Sequence, residues 1–295
     1  MKVSNMSIKK FNSLKKLELG GSIYNEESDL FIIEGKNKWE RQDLLFKKLR
    51  NDYGGVFSNK LYTINELITC KDIINIEEIV MPRSLCSIGG EIKGFTMDYI
   101  DSINLSLVLS SDCYSISDKI RYLKQIGEIL EKMKNVRNYT SVHDFYLNDL
   151  HENNFIVNLR TDRVNVVDID SSKINDNQTF ISRRLTPFSK ISSVNKYVHE
   201  ESALGGVYKI DYNTEMYCYI MIILNYLSEY RINNLSIEEY FCYMEYLHNI
   251  GYSYEFVDIL ARIYMEKDNI NPYMLLDEIE SYKNESGYKK YLLKR

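Results

Sequence analysis

The sequence predicts an α+β protein of two lobes, a small antiparallel sheet with one helix over residues 1–100 and a mainly helical lobe over residues 101–295. Three observations predict it. Apolar runs of strand length crowd the first third of the chain. From Ile116 onward, apolar residues recur at helical spacing instead. One lone hairpin signature interrupts the helices: Phe155-Ile156-Val157 and Val164-Asn165-Val166-Val167 flank the polar turn Arg160-Thr161-Asp162-Arg163.

The elements follow in order. Leu17-Glu18-Leu19 alternates, Gly20-Gly21-Ser22 breaks the pattern, and Ile23-Tyr24 resumes it. Asn25-Glu26-Glu27-Ser28 reads as a turn before the β-type run Leu30-Phe31-Ile32-Ile33. Trp39 to Leu49 carries Leu44, Leu45, Phe46 and Leu49 among charges, the pattern of an amphipathic helix. Leu61 to Cys70 is a weaker segment. Ile79-Val80-Met81-Pro82 leads through Gly89-Gly90 to Ile92–Ile100, expected as the last strand of the sheet. The lobe boundary falls near Ile100 to Leu105. A helix is predicted over Ile116 to Val136, where Ile120, Leu123, Ile126, Gly127, Leu130 and Met133 share a face. Residues 171–206 are polar and aperiodic, and so long an irregular stretch usually carries function or motion. From Asn213 the pattern is almost all helix.

Composition narrows the function classes. With 44% apolar and 27% charged residues, the chain can bury a core as a globular protein. A net charge of -5 argues against a general nucleic-acid binder. The five cysteines form no CxxC and no histidine stands at zinc-ligand spacing, so buried reduced thiols in a cytoplasmic protein are expected. Met1 to Phe11 has no apolar stretch of the signal-peptide kind. The most apolar window, Tyr217 to Leu227, is too short to span a bilayer and contains Asn225.

The chemistry concentrates in Leu147-Asn148-Asp149-Leu150-His151-Glu152-Asn153-Asn154 and in Val166-Val167-Asp168-Ile169-Asp170. Asp149 is a carboxylate able to orient and deprotonate a hydroxyl. Asn154 offers an amide oxygen five residues later, and Asp168 a carboxylate at the end of an apolar strand. A hairpin brings its open ends together, so Asn154 and Asp168 are expected to face each other across a gap that a metal ion can fill. Mg²⁺ takes a few oxygen ligands from protein and completes its shell with phosphate oxygens and water.

In this order of residues the chain resembles the protein-kinase-like superfamily, which includes the protein kinases and the aminoglycoside-phosphotransferase-type small-molecule kinases. The resemblance runs from about residue 14 to residue 230, specific at the hairpin and loose before it. It implies that Asp149 is the catalytic-loop aspartate and that Asn154 and Asp168 hold Mg²⁺. It implies that Phe95–Ile100 is the hinge, with Met97 near the gatekeeper and the backbone of Asp98 and Ile100 meeting adenine; core packing accounts equally well for Met97 and Tyr99. Gly20, Gly21 and Ser22 stand where a phosphate-approaching loop is needed, although a tight hairpin explains them as well. Lys36, of the same strand parity as Glu34, is the candidate phosphate-anchoring lysine with Glu40 as its partner; the other reading makes Lys36 and Lys38 solvated turn charges. Asp211 to Tyr217 resembles the start of the family's buried helix, with Asp211 or Asn213 as cap.

The chain also departs from the protein-kinase pattern. Leu147 stands where histidine is usual, and Asp168 is followed by Ile169-Asp170 rather than Phe-Gly, an ending closer to the small-molecule branch. Asp170 either assists the metal site or is a solvated or capping residue, and His151 is read as structural. The implied activity is transfer of the γ-phosphate of Mg·ATP to a hydroxyl of a protein Ser/Thr or a small molecule, with ATP and Mg²⁺ as cofactors. The alternatives are a pseudokinase acting as a nucleotide-binding or interaction module, and a non-kinase α+β binding protein.

Overall fold

Leu45, Phe46 and Leu49 lie at the centre of a six-stranded sheet rather than on the helix that their spacing predicts. The computed structural model describes residues 2–17, 28–35, 43–50, 56–175, 177–178, 211–227, 237–249, 251–264 and 270–279. Within them the chain opens with β1 (Val3–Met6), α1 (Ile8–Phe11), β2 (Lys15–Lys16), β3 (Ser28–Ile33) and β4 (Leu44–Leu49). Next come α2 (Val56–Ile74), β5 (Pro82–Ile88) and β6 (Glu91–Asp98). The sheet order is β1-β5-β6-β4-β3-β2. β1 pairs with β5 in parallel, Val3 opposite Leu85, so the sheet is mixed and not antiparallel throughout as expected.

Over the described residues 43–49, the helix expectation for 39–49 fails for a physical reason. β4 is covered on both faces, so its apolar residues run on instead of alternating, and a short continuous run does not reveal its period. On one face Leu45 and Leu49 pack with Ile64, Leu85, Phe95 and Met97. On the other, Phe46 stacks on Phe31 at 6.1 Å and meets Phe11 edge-on at 6.2 Å. The weaker segment at 61–70 is the middle of the 19-residue α2.

The second part of the chain contains β7 (Ser102–Asn104), α3 (Leu105–Ser110) and α4 (Ile116–Tyr139). β8 (Phe155–Asn158) and β9 (Arg163–Val166) form the expected hairpin, with Phe155 opposite Val166, and β7 adds a third strand to it. β10 (Lys173–Ile174) pairs with β11 (Asn177–Gln178); residues 179–206 of the polar stretch lie outside the described residues. Then come α5 (Tyr212–Leu227), α6 (Ile237–Asn249) and α7 (Tyr254–Tyr264). α4 begins with a capping box, Ser115 accepting from Asp118 N–H and Asp118 from Ser115 N–H, which satisfies two donors at the helix start. α5 is capped by Asp211, which accepts from Thr214 N–H at 3.1 Å. Met216 to Leu224 are all buried, so α5 runs through the middle of the main core, with α4, α6 and α7 around it.

Two backbone bonds fasten the hairpin to the segment entering β5. Val166 N–H donates to Glu78 O at 2.8 Å and Val80 N–H to Val166 O at 2.9 Å. The end of β9 is thereby fixed beside the large sheet, and whatever follows it faces β4 and α2.

Candidate active site

The loop before β8 is held from below by α5. Glu215, fully buried, accepts from Leu147 N–H at 2.9 Å and lies 3.1 Å from the Arg137 guanidinium. Arg137 in turn donates to Phe145 O at 2.6 Å and stacks on the Tyr146 ring at 4.2 Å. Burial pushes the Glu215 carboxyl up to about 7, against the pull of Arg137 toward the ionised form. A short 3₁₀ turn over Glu152–Asn154 follows, capped by His151, whose Nδ1 accepts from Asn153 N–H at 3.2 Å. The other nitrogen of that ring, Nε2, faces Asp149 Oδ2 at 3.6 Å. Burial disfavours the imidazolium, yet Asp149 outweighs it and raises the histidine's pKa.

Asn154 donates from Nδ2 to Asp149 O at 2.7 Å and faces Asp149 Oδ2 at 3.4 Å. That fixes the amide plane and leaves its oxygen for another partner. Val167 N–H donates to Asn154 O at 2.9 Å, closing the open end of the hairpin as the spacing predicts. Asp168 follows in the left-handed region, φ 60° and ψ 41°, an uncommon conformation that Asp tolerates better than most residues and that gathers at functional sites. Asp149, Asn154 and Asp168 all line one small cavity of about 10 Å³, the space of roughly one water. Asp149 Oδ1 is buried there without a hydrogen bond.

Across from the hairpin stand two lysines that sequence reasoning missed. Lys47 on β4 bonds Asp168 Oδ1 and Asp170 Oδ1, the second at 3.0 Å. Lys60 on α2 reaches Asp170 Oδ2 at 3.3 Å. The side chains of Lys47, Lys60 and Asp170 are 4%, 5% and 0% exposed, while Asp168 keeps 35%. Asp170 is therefore neither a solvated charge nor a cap; it is the buried carboxylate on which both ammonium groups converge. Burial works against its charge, but Lys47 and Lys60 together hold it well below the usual carboxylate range. Burial raises Asp168, the other member of the pair, against the opposing charge of Lys47. Burial also disfavours the Lys47 cation, and Asp168 and Asp170 overcome it, so its pKa rises.

Both lysines carried a readable signal. Lys47 has the strand parity of Leu45 and Leu49, and Lys60 stands four and seven residues before the buried Ile64 and Leu67. A lysine on the apolar face of an element is buried only with a partner. Of the other expected site residues, Met97 is packed into the core under α2, and Tyr99 and Ile100 lie against the same cluster. Asp98 ends β6 and pairs with Arg83 at 2.5 Å, and Tyr99 N–H is taken by Asp43 O at 3.0 Å. Gly20, Gly21, Ser22, Lys36 and Glu40 lie outside the described residues.

Among the described residues no three His, Cys, Asp or Glu side chains gather as a metal cage. The oxygen pair of Asn154 and Asp168 suits a cation that needs few protein ligands, as Mg²⁺ does. No helix among the described residues is long and apolar enough to cross a membrane. No family model matches the chain, and no curated protein matches it.

Proposed function

We propose that this chain is an ATP-dependent phosphotransferase of the bilobal kinase-like fold, moving the γ-phosphate of Mg·ATP to a hydroxyl acceptor. One observation carries the reading: two carboxylates and an amide meet at the end of one hairpin, and a buried lysine from a different sheet reaches the same point. A scaffold has no need of that set. Phosphoryl transfer needs all of it, because its catalysis is mostly positioning and charge neutralisation.

Each residue has a part. Lys47 Nζ binds phosphate oxygens of the nucleotide. Asp149 aims the acceptor hydroxyl, and its Oδ1, buried and unbonded, takes the proton. His151 and Asn154 hold that carboxylate in place. The Asn154 amide oxygen and the Asp168 carboxylate would hold Mg²⁺, which would supply positive charge against the negative charge of the phosphates. The backbone at the end of β6, about Asp98 and Ile100, is assigned as the adenine contact, with the Ile100 carbonyl exchanging its Ser102 hydroxyl partner for the base. The five cysteines are free thiols, in keeping with the cytoplasm as the compartment.

The test is incubation of the pure protein with Mg²⁺ and γ-labelled ATP, alone and with panels of proteins and hydroxylated metabolites, beside calorimetric titration with Mg·ATP. Binding together with transfer to one acceptor class is expected. Absence of Mg·ATP binding at millimolar concentration sinks the reading. A second reading, a nucleotide-binding pseudokinase, is favoured by one observation: Lys47 is bonded to Asp168, the carboxylate that the metal requires. It predicts binding without transfer to any acceptor.

A further inference from the structure

Lys60 has no part in the chemistry above, yet it occupies an expensive position. Its ammonium is withdrawn from water on the apolar face of α2, beside Ile64 and Leu67, and aims at Asp170. Asp170 has no exposed surface and takes Lys47 on one oxygen and Lys60 on the other. Among the described contacts, two ammonium groups meet the carboxylates of Asp168 and Asp170. In the general protein-kinase arrangement the strand lysine pairs with a carboxylate on the neighbouring helix. Here that helix contributes a cation, and the carboxylate sits two residues after Asp168.

This reversal has a consequence for nucleotide binding. When Lys47 turns to phosphate, it takes its charge away from Asp170. A buried carboxylate stripped of its partner is strongly disfavoured, so Asp170 alone would hold Lys47 back. A second cation on the other carboxylate oxygen removes that obstacle. We propose that Lys60 is a positioning residue for the nucleotide: by neutralising Asp170 from α2, it releases Lys47 to the phosphates. The assignment rests on the phosphotransferase reading and adds to it a link between α2 and the segment that follows β9.

The test is a double-mutant cycle on the dissociation constant of Mg·ATP, measured by calorimetry for the parent, Lys60→Met, Asp170→Asn and the double variant. Circular dichroism and thermal melts check the fold of each. Lys60→Met is expected to weaken binding about tenfold in the parent background and less than about twofold in the Asp170→Asn background. Lys60→Arg, which keeps the charge, should stay within about threefold of the parent. If Lys60→Met does not fold, Lys60→Gln takes its place in the cycle. A loss of equal size in both backgrounds means that Lys60 acts on its own and overturns the proposal, as does parent-like binding by a folded Lys60→Met. A parent that binds no Mg·ATP overturns the phosphotransferase reading together with this one, whereas binding with a flat cycle removes Lys60 alone.

Discussion

The two sides of the candidate cleft are encoded differently. On the hairpin side, Asp149, Asn154 and Asp168 are close in sequence, and local geometry brings them together: a loop, a two-stranded hairpin and one backbone bond from Val167 to Asn154. On the sheet side, Lys47 meets Asp168 and Asp170 across 121 and 123 residues, and Lys60 meets Asp170 across 110. Only the packing of β4, α2 and the end of β9 places those three contacts. Short-range spacing can specify a catalytic motif, but the counter-charges that make it usable come from tertiary structure.

The sharpest way to break this contrast is Asp168→Asn, the residue shared by both sides. On the phosphotransferase reading we expect a loss in kcat of about 10³-fold, with weaker Mg·ATP binding as well, because the fixed negative charge assigned to Mg²⁺ disappears. Parent-like turnover would remove the metal assignment. Asp149→Asn should act on the hairpin side alone. Transfer is expected to fall by about 10²–10⁴-fold with the Mg·ATP dissociation constant nearly unchanged, since the proposal gives this residue to the acceptor hydroxyl. A normal kcat for that variant would leave the hairpin as scaffold.

The sheet side is probed by Lys47→Met against Lys36→Ala. Lys47→Met should weaken Mg·ATP binding at least about tenfold, while Lys36→Ala changes it by less than about twofold. Lys47→Met also takes the cation from Asp168, while Lys60 still neutralises Asp170. Because Asp168 is partly exposed, the loss of folding stability should stay below the roughly 3–5 kcal/mol of a fully buried pair that loses one partner. The opposite ranking in nucleotide titrations would return the anchor to Lys36.

These expectations mark what the sequence made legible. The hairpin, its closed end, the helix from Ile116 and the Asp211 cap could all be read, because each depends on neighbours within a few residues. β4 could not, because cover on both faces erased the alternation that distinguishes a strand from a helix. A helix over Trp39 to Leu49 hides the parity of Lys47 with Leu45 and Leu49 and leaves Lys36 as the candidate anchor. The parallel pairing of β1 with β5 was equally hidden, since nothing local in Val3–Met6 points to Leu85. Asp170 was underrated because its role exists only when two distant lysines arrive.

The placement of β4 offers a finer test on the sheet side. Gly94 on β6 lies opposite Lys48, and a Cβ there would collide with the Lys47 carbonyl. The two strands approach so closely only because no side chain stands between them. Gly94→Ala should therefore cost about 1–3 kcal/mol of folding stability and raise the Mg·ATP dissociation constant by displacing Lys47. Urea unfolding and calorimetry report the two effects. An unchanged midpoint would mean that the strands part without loss and that Lys47 tolerates the shift.

The effect furthest from turnover tests the support under the hairpin side. Glu215 bonds Leu147 N–H, two residues before Asp149, and its carboxyl rises from 4.5 to about 7 because burial opposes the charge. Between those values the folded state holds a proton that the unfolded chain has released. The stability contributed by this group is thus complete below pH 4.5 and is lost as pH rises through about 7. Each pH unit across the window is worth at most about 1.4 kcal/mol. Arg137, 3.1 Å away, favours the ionised form, and its pull is already contained in the rise to about 7, so the whole window is worth at most about 3 kcal/mol. Glu215→Gln keeps an oxygen for Leu147 N–H and cannot titrate. The stability of the parent relative to this variant should therefore fall between pH 4.5 and 7 and level off above. Parallel urea-unfolding curves across that range would show that Glu215 is ionised throughout, with Arg137 outweighing burial and an ion pair, not a protonated carboxyl, holding the loop that carries Asp149.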